Sequence, residues 1–533
     1  KIVTMAGSLR GFRFNNGGDR TKLLDVMNWS GLRLDTPLQD GEYFYGASNL
    51  TTFSATDAPD MATTNSLEQA FSRAGKFNGS ISHWDVSHVT DLSSTFSDAY
   101  EFNQSLNGWD TSHVTKMFGT FNYAFKFNSA IDQWNTAAVT DMRWMFRNAQ
   151  VFNQPLPRNG AKWDTGNVTD FDSMFESAGK FNQSLATWNT TAARDMNRMF
   201  NGATDFNGEL TNFDTSDVTD LTYMFQNAAA FNQPLAHFDT SKVTNLTQTF
   251  NGARAFNQPI GGWDVSKVTS LSNTFANAAV FNQDLSGWDT GAVTSLAQTF
   301  RSAAAYNQPM DTDGTNWDVS KVVSMSGTFH GATAFNRPLS NWNTAKVTNM
   351  ASMFQSATNF NQALATSGNR WNTSEVTDMS SMFNAASAFN QDARTWDIGG
   401  VTDMTTMFTG SALSTRHYDK LLVSWAFGYA TDGVANGQGT GVTADSVVFG
   451  AAPAKYSTGQ PTAARTFLVN ERGWTITDGG STGLAPDPEP AQTQAPATPA
   501  PPVALPRPSG AKVGWITPPT SGGDPVTYTV TAS

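Results

Sequence analysis

The sequence predicts an α/β repeat solenoid with a parallel sheet on one face and short helices on the other, and three features predict it. The pair Phe-Asn returns at a fixed period, seven apolar columns align between its copies, and each copy joins a strand-like stretch to a helix-like one. The pair stands at Phe77-Asn78, Phe102-Asn103, Phe127-Asn128, Phe152-Asn153, Phe181-Asn182, Phe206-Asn207, Phe231-Asn232, Phe256-Asn257, Phe281-Asn282, Phe335-Asn336, Phe360-Asn361 and Phe389-Asn390, with Tyr306-Asn307 as a variant. Thirteen copies are separated by nine intervals of 25 residues and three of 29. Units of that size cannot bury an apolar face alone, so they must stack.

The copy from Phe102 to Phe127 shows the logic. Its apolar positions are Phe102, Leu106, Trp109, Val114, Met117, Phe121 and Ala124. From Val114 the spacing is 3, 4 and 3, the stripe of a helix of two to three turns. Thr115 follows Val114, and Thr fills that column in eleven of thirteen copies, as a helix N-cap would. The preceding stretch, Leu106 to Ser112, carries Trp109, Asp110 and β-branched Thr111 and reads as a short strand running into an Asx turn. One strand per copy at ~4.8 Å gives a parallel sheet roughly 60 Å long. Met beside Phe, as in Met145-Phe146 and Met224-Phe225, reads as core filler.

Stacking brings like residues into register. The Asn column should therefore form an amide ladder, placed facing inward where it satisfies backbone groups at the turn. On that placement the sequons at Asn78, Asn103 and Asn182 are not glycosylated, whereas Asn28, Asn49, Asn167, Asn189, Asn245 and Asn372 remain open to it. The residue after the Trp column is Asp or Asn in every copy, and an Asx turn explains it better than a calcium ladder because Asn replaces Asp freely. The next column is Thr in nine copies and Val or Ile in four. Ordinary strand propensity accounts for it better than an exposed recognition face, since Val86, Val265, Val319 and Ile398 interrupt it. Charged and variable residues precede the Val column, among them His88, His113, Asp217, Lys242 and Glu375; they suit a binding face or a solvated one. His88 and His113, with His83 near, are a weak metal candidate.

Composition narrows the class. The chain has 533 residues, no Cys, a charged fraction of 15% and a net charge of −12, so no disulfide staple and no basic footprint for nucleic acid or anionic lipid is available. No run of ~18 apolar residues marks a membrane helix. Residues 1–7 lack the apolar core of a secretory signal, which reads as a cytosolic or already processed chain. Nucleophile elbows, phosphate loops and Ser-His-Asp or Cys-His groupings are missing, so an enzyme is not expected. No cofactor is implied. Asp311, Asp313 and Asn316, in the second inserted loop, are weak calcium candidates without the downstream bidentate Glu.

The string Trp109-Asp110-Thr111-Ser112-His113-Val114-Thr115-Lys116-Met117, followed by Phe121, Ala124 and Phe127-Asn128, resembles the 25- to 26-residue bacterial surface protein repeat, related to BspA-like leucine-rich repeats. The resemblance covers Leu67 to Phe408 and extends to the flanking segments Phe44 to Asp60 and Tyr418 to Gly479, which look like caps. This copy departs from the pattern at Ala193, Arg194, Phe213 and Phe238. The resemblance implies a leucine-rich-repeat-like coil and an extracellular or cell-surface location, and names no ligand. The expected domains are an N-terminal cap over 1–66, the repeats over 67–412, a C-terminal cap over 413–480, a Pro-, Ala- and Thr-rich linker over 481–509, and a segment over 510–533. That last segment is similar to the opening of a fibronectin type III domain, with strands Lys512 to Ile516 and Val526 to Thr531.

Two functions follow as expectations. The first is a non-enzymatic adhesion or recognition scaffold binding a protein or glycan on a neighbouring cell or matrix, through its sheet face or the inserted loops at 158–161, 313–316 and 367–370. The second is the subunit of an extracellular filament or sheath, contacting copies of itself by donating the C-terminal strands. Neither involves nucleic acid or membrane insertion.

Overall fold

The computed structural model describes residues 12–34, 41–310, 317–364, 370–428, 444–487, 503–507 and 510–514. The first of two compact units spans Lys1–Ala485. It is a repeat fold of few helices and small parallel sheets, and its coils stack in the register the period predicts. Ser66, Asp91, Lys116, Asp141, Asp170 and Asp195 are joined by successive parallel bridges, and a second run leads from Asp220 through Asn245, Ser270, Ser295, Ser324, Asn349 and Asp378 to Asp403.

Inside each coil the structure differs from the expected strand and helix. The segment from Leu106 to Ser112 contains turns rather than a strand, and the stretch from Val114 to Ala124 holds no helix. Met117, Gly119, Phe121 and Tyr123 donate their backbone N–H to the carbonyls of Asp141, Arg143, Met145 and Arg147 in the next coil. The intervening Thr120, Asn122 and Ala124 donate back to Met117, Gly119 and Phe121, closing three overlapping turns. Gly119 and Tyr123 have φ of 57°, a left-handed backbone that no α-helix tolerates. The other coils repeat the pattern, for example at Ser94 and Asp98 or Ser352 and Ser356. Thr115 is accordingly no N-cap. Its hydroxyl donates to the Thr90 carbonyl of the coil before, and the column forms a file on the surface.

The core is three files of rings. Phe225 stacks on Phe200 at 5.7 Å and Phe250 at 5.6 Å, Phe231 lies 4.1 Å from Phe225 within the coil, and Trp163 stacks on Trp188 at 6.1 Å. Tyr306 fits the second Phe file, buried between Phe281 and Phe335 at 6.0 and 6.2 Å. From Trp109 onward the Trp column also ties coil to coil: the Trp263 indole N–H donates to the Leu235 carbonyl, 28 residues back, at 3.0 Å, whereas that of Trp84 has no partner among the described residues. Where Phe238 replaces Trp, the neighbouring His237 donates from Nε2 to the equivalent carbonyl, that of Leu210, at 2.9 Å. A carbonyl can only accept, which fixes the tautomer. The same carbonyl also accepts the Phe213 N–H at 3.0 Å, so His237→Ala should cost about 1 kcal/mol by removing the bond between coils, and adding Phe238→Trp should restore the loss. A urea-melt double-mutant cycle without recovery would show that His237 does not stand in for the indole.

Both ends of the stack carry extra layers. Residues 41–66, assigned to the cap, already stack in register, with Glu42, Phe44 and Gly46 donating to Glu68, Ala70 and Ser72. β1 (Asp25–Val26) pairs parallel with β2 (Thr52–Phe53). At the other end β3 (Asp403–Met404), β4 (Val448–Gly450) and β5 (Thr475–Thr477) form a parallel sheet, connected through α1 (Thr415–Phe427) and α2 (Gln460–Asn470). The strand and helix alternation expected of the repeats is thus found in the C-terminal cap. The intervals between its strands are long enough to hold a helix as well as the turns.

The second unit is Pro486–Ser533. Here β6 (Val503–Arg507) pairs antiparallel with β7 (Gly510–Gly514), so part of the expected linker is a strand. The strand expected over Val526 to Thr531 lies outside the described residues.

Candidate functional site

The Asn column does form a ladder. Asn78, Asn103, Asn128, Asn153, Asn182, Asn207, Asn232, Asn257, Asn282, Asn307, Asn336 and Asn361 each accept, at Oδ1, the backbone N–H of the next Asn at 2.7–3.1 Å. Asn390 ends it, accepting from Ser414 N–H and from Nδ1 of His417 at the start of α1. The inward placement was wrong, because every rung is half-buried or exposed and only the Phe beside it enters the core. Asn78, Asn103 and Asn182 are exposed, so burial gives no ground for discounting their sequons. The reading also missed the residue after Asn: Gln233, Gln258, Gln283 and Gln308 reach back to the preceding Asn carbonyl and amide oxygen. At the surface Asn232→Ala should cost only about 1 kcal/mol. A loss above ~3 kcal/mol in thermal melts would mean the ladder is shielded from water after all.

The column after Trp makes the Asx turn: Asp110, Asp239 and Asn372 accept the N–H two residues on, at 3.0, 2.9 and 3.0 Å. Hydroxyl donation from Ser87 and Ser112 lowers the carboxyl pKa of Asp85 and Asp110. The Thr column beyond it is buried, Thr136 and Thr165 donating to the next coil's Asp164 and Asn189 carbonyls. That removes it as a recognition face. His88 and His113 each hydrogen-bond the preceding Ser. No group of three or more His, Cys, Asp or Glu able to hold a metal occurs among the described residues. Asp311, Asp313 and Asn316 lie outside those residues, as does most of the third inserted loop. The first inserted loop closes on itself through an Asn159 to Lys162 bridge and an Arg158–Asp164 ion pair at 2.9 Å.

What stands out is the outer face of the overlapping turns. Gly, Ser, Asn or Gln, residues with short or polar side chains, fill most of its left-handed positions, with Arg73, Arg198 and Tyr223 among the exceptions. In neighbouring coils these positions hold Tyr123 and Trp144, at φ 57°. A bulky side chain there costs backbone energy and adds nothing to the core. Around them gather Tyr100, stacked on Phe125 at 5.0 Å, and Phe118, 5.0 Å from Trp144. Tyr100 is 42% exposed and the other four rings are half-buried. Arg147 bridges them, 5.1 Å from the Trp144 ring and 5.9 Å from Tyr123.

Carboxylates border this patch in a row. Asp141, Asp170, Asp195 and Asp220 follow one another in the bridge column, and burial together with neighbouring carboxylates raises the pKa of Asp170 and Asp195. A raised carboxyl pKa means the folded state binds the proton more tightly, so stability falls as pH climbs past the unfolded value. Asp195→Asn should therefore raise the melting temperature at pH 7, and the gain should vanish below about pH 4. Asn already fills this column at Asn245 and Asn349, keeping the same turn bond. An equal gain at both pH values would show that packing and not charge is responsible.

The repeat sequence and the coil register identify the family. A family model described as "Mycoplasma protein of unknown function, DUF285" matches residues 41–159, 156–246, 230–315 and 310–421. The chain belongs to the DUF285 family. The first match begins at 41, at the coil whose Glu42, Phe44 and Gly46 donate to Glu68, Ala70 and Ser72, so the matched DUF285 region starts ahead of the expected boundary at 67. Comparison with curated proteins gives no significant match. No helix among the described residues of this DUF285 protein is long and apolar enough to cross a membrane.

Proposed function

We propose that this DUF285 chain is a leucine-rich-repeat-like recognition scaffold, displayed outside the cell or on its surface, that binds a partner through the outer turn face. The ring cluster at Tyr100, Phe118, Tyr123, Phe125 and Trp144 carries the reading. The stack's core is uniform from coil to coil, whereas this face changes, and it changes to the residue types that dominate binding hot spots. Left-handed Trp and Tyr are a cost to folding that a purely structural coil has no use for. Arrays of matrix proteins and glycans probed with the full chain test this: saturable binding to one class is expected. Lack of binding on every array, with ordered fibres in negative-stain micrographs, would overturn it in favour of a filament subunit.

A further inference from the structure

The turn face already shows what chemistry it holds. Arg147 sits over Trp144 while its Nε meets Glu176 at 2.6 Å. Arg143 lies 5.3 Å from the Phe118 ring and 2.7 Å from Asp141. Arg73 lies 5.6 Å from the Tyr45 ring and 4.0 Å from Asp98. Three times, then, one face seats a guanidinium between a ring and a carboxylate, a pairing that joins cation–π attraction to an ion pair.

Rings and carboxylates remain on that face after its own arginines are seated. Tyr100 and Phe125 have no arginine over them among the described residues, and the Tyr100 hydroxyl donates to Asp98 at 3.4 Å. Asp172 takes the Trp144 indole N–H at 2.9 Å and the Ser173 hydroxyl at 3.0 Å, both neutral donors, and neither it nor Asp195 or Asp220 has an ion-pair partner among the described residues. The excess charge beside the patch is therefore negative, in a chain of net charge −12. A glycan platform would need open ring faces. Tyr100 and Phe125 instead lie nearly parallel, at 12° and 5.0 Å, so each covers a face of the other.

From this charge complementarity we propose that the face from Tyr100 to Asp195 docks an arginine-bearing segment of a partner protein, its guanidinium groups entering between the rings and the carboxylate row. The proposal rests on the recognition reading and names its partner class. The probe is a fluorescein-labelled nona-arginine peptide, titrated against the full chain at physiological salt with fluorescence anisotropy as readout. The double variant Tyr123→Gly, Trp144→Gly tests the patch without threatening the fold, because Gly202 and Gly119 hold those same two backbone positions in nearby coils. Its melting temperature should hold or rise while affinity falls by roughly tenfold, the loss typical of removing hot-spot rings. Asp378→Asn with Asp403→Asn removes charge from the same column far from the rings and should leave affinity within about twofold. Absent binding to the unmodified chain, equal loss in both variants, or equal binding of nona-glutamate would each overturn the proposal. Partner binding on the arrays alongside an inert nona-arginine removes this inference alone and leaves the recognition reading in place.

Discussion

Replacing Phe225 by alanine should cost about 3–5 kcal/mol, among the largest losses available to a single substitution in this chain. The ring is fully buried and contacts Phe200 and Phe250 in the coils on either side and Phe231 in its own. Removal therefore opens a cavity at a junction of three stacking contacts. The backbone cannot close it, because Phe225 N–H is bonded to Thr249 and Ala228 N–H to Phe225 itself, which fixes the distance between coils. In a stack where each coil touches only its neighbours, weakening one interface lowers the cost of parting the array there. Chemical denaturation should accordingly show a lower midpoint, with a shallower or split transition. Phe125→Ala, at the half-exposed position outside the core, should change the midpoint far less. If both substitutions cost below ~1 kcal/mol, the ring files would not be what holds the coils together.

The period and the core columns were legible because burial and register both act on residue type: Phe121, Phe127 and Trp109 recur where the interior requires a ring. The internal shape of the coil was not. Val114, Met117, Phe121 and Ala124 have helical spacing, yet overlapping turns with a left-handed residue every fourth position place the same residues inward. Spacing alone cannot separate the two, since both return the chain to one face every three to four residues. A signal was nevertheless present: Gly119, Gly202, Gly252 and Gly331 fall at those left-handed positions, where glycine relieves Cβ strain in a turn and would weaken a helix. The Asn ladder was legible as a ladder, from its invariance, but not its side of the wall. An amide ladder needs only the neighbouring coil as partner, and Asn232 has that at the surface. The ring patch was hidden because Tyr123 and Trp144 read as helix residues until their backbone was seen.

The second large effect belongs to the C-terminal cap. The side chain of Asp478 is 3% exposed and joins three elements: it accepts from the Tyr418 hydroxyl on α1 at 2.8 Å, pairs with Arg465 on α2 at 2.8 Å, and takes Gly480 N–H at 3.0 Å. Burial, reinforced by the carboxylate, pushes the Tyr418 phenol well above its usual pKa, so the hydroxyl stays a donor throughout the physiological range. Asp478→Ala leaves the Tyr418 phenol without its acceptor and the Arg465 guanidinium without a counter-charge, holding only the Ile476 carbonyl at 3.2 Å, both largely out of water. Complete burial would make that about 3–5 kcal/mol, and because Arg465 keeps a quarter of its side chain exposed the expected loss is about 2–4 kcal/mol. The consequence should be local at first. α1 lays Tyr418, Leu421, Leu422 and Trp425 over the end of the stack, and once it lifts, Met404, Met407 and Phe408 meet solvent as an open apolar layer. Hydrogen exchange in Asp478→Ala should therefore quicken across Thr415–Phe427 and Gln460–Asn470 before the coils between Phe71 and Phe383 respond, and the protein should aggregate at lower temperature. Asp478→Asn, which still accepts from Tyr418 but no longer neutralises Arg465, should fall between the two. Uniform exchange across cap and coils would mean that the cap and the repeats unfold as one unit, and that the Asp478 network stabilises the whole stack instead of closing its end.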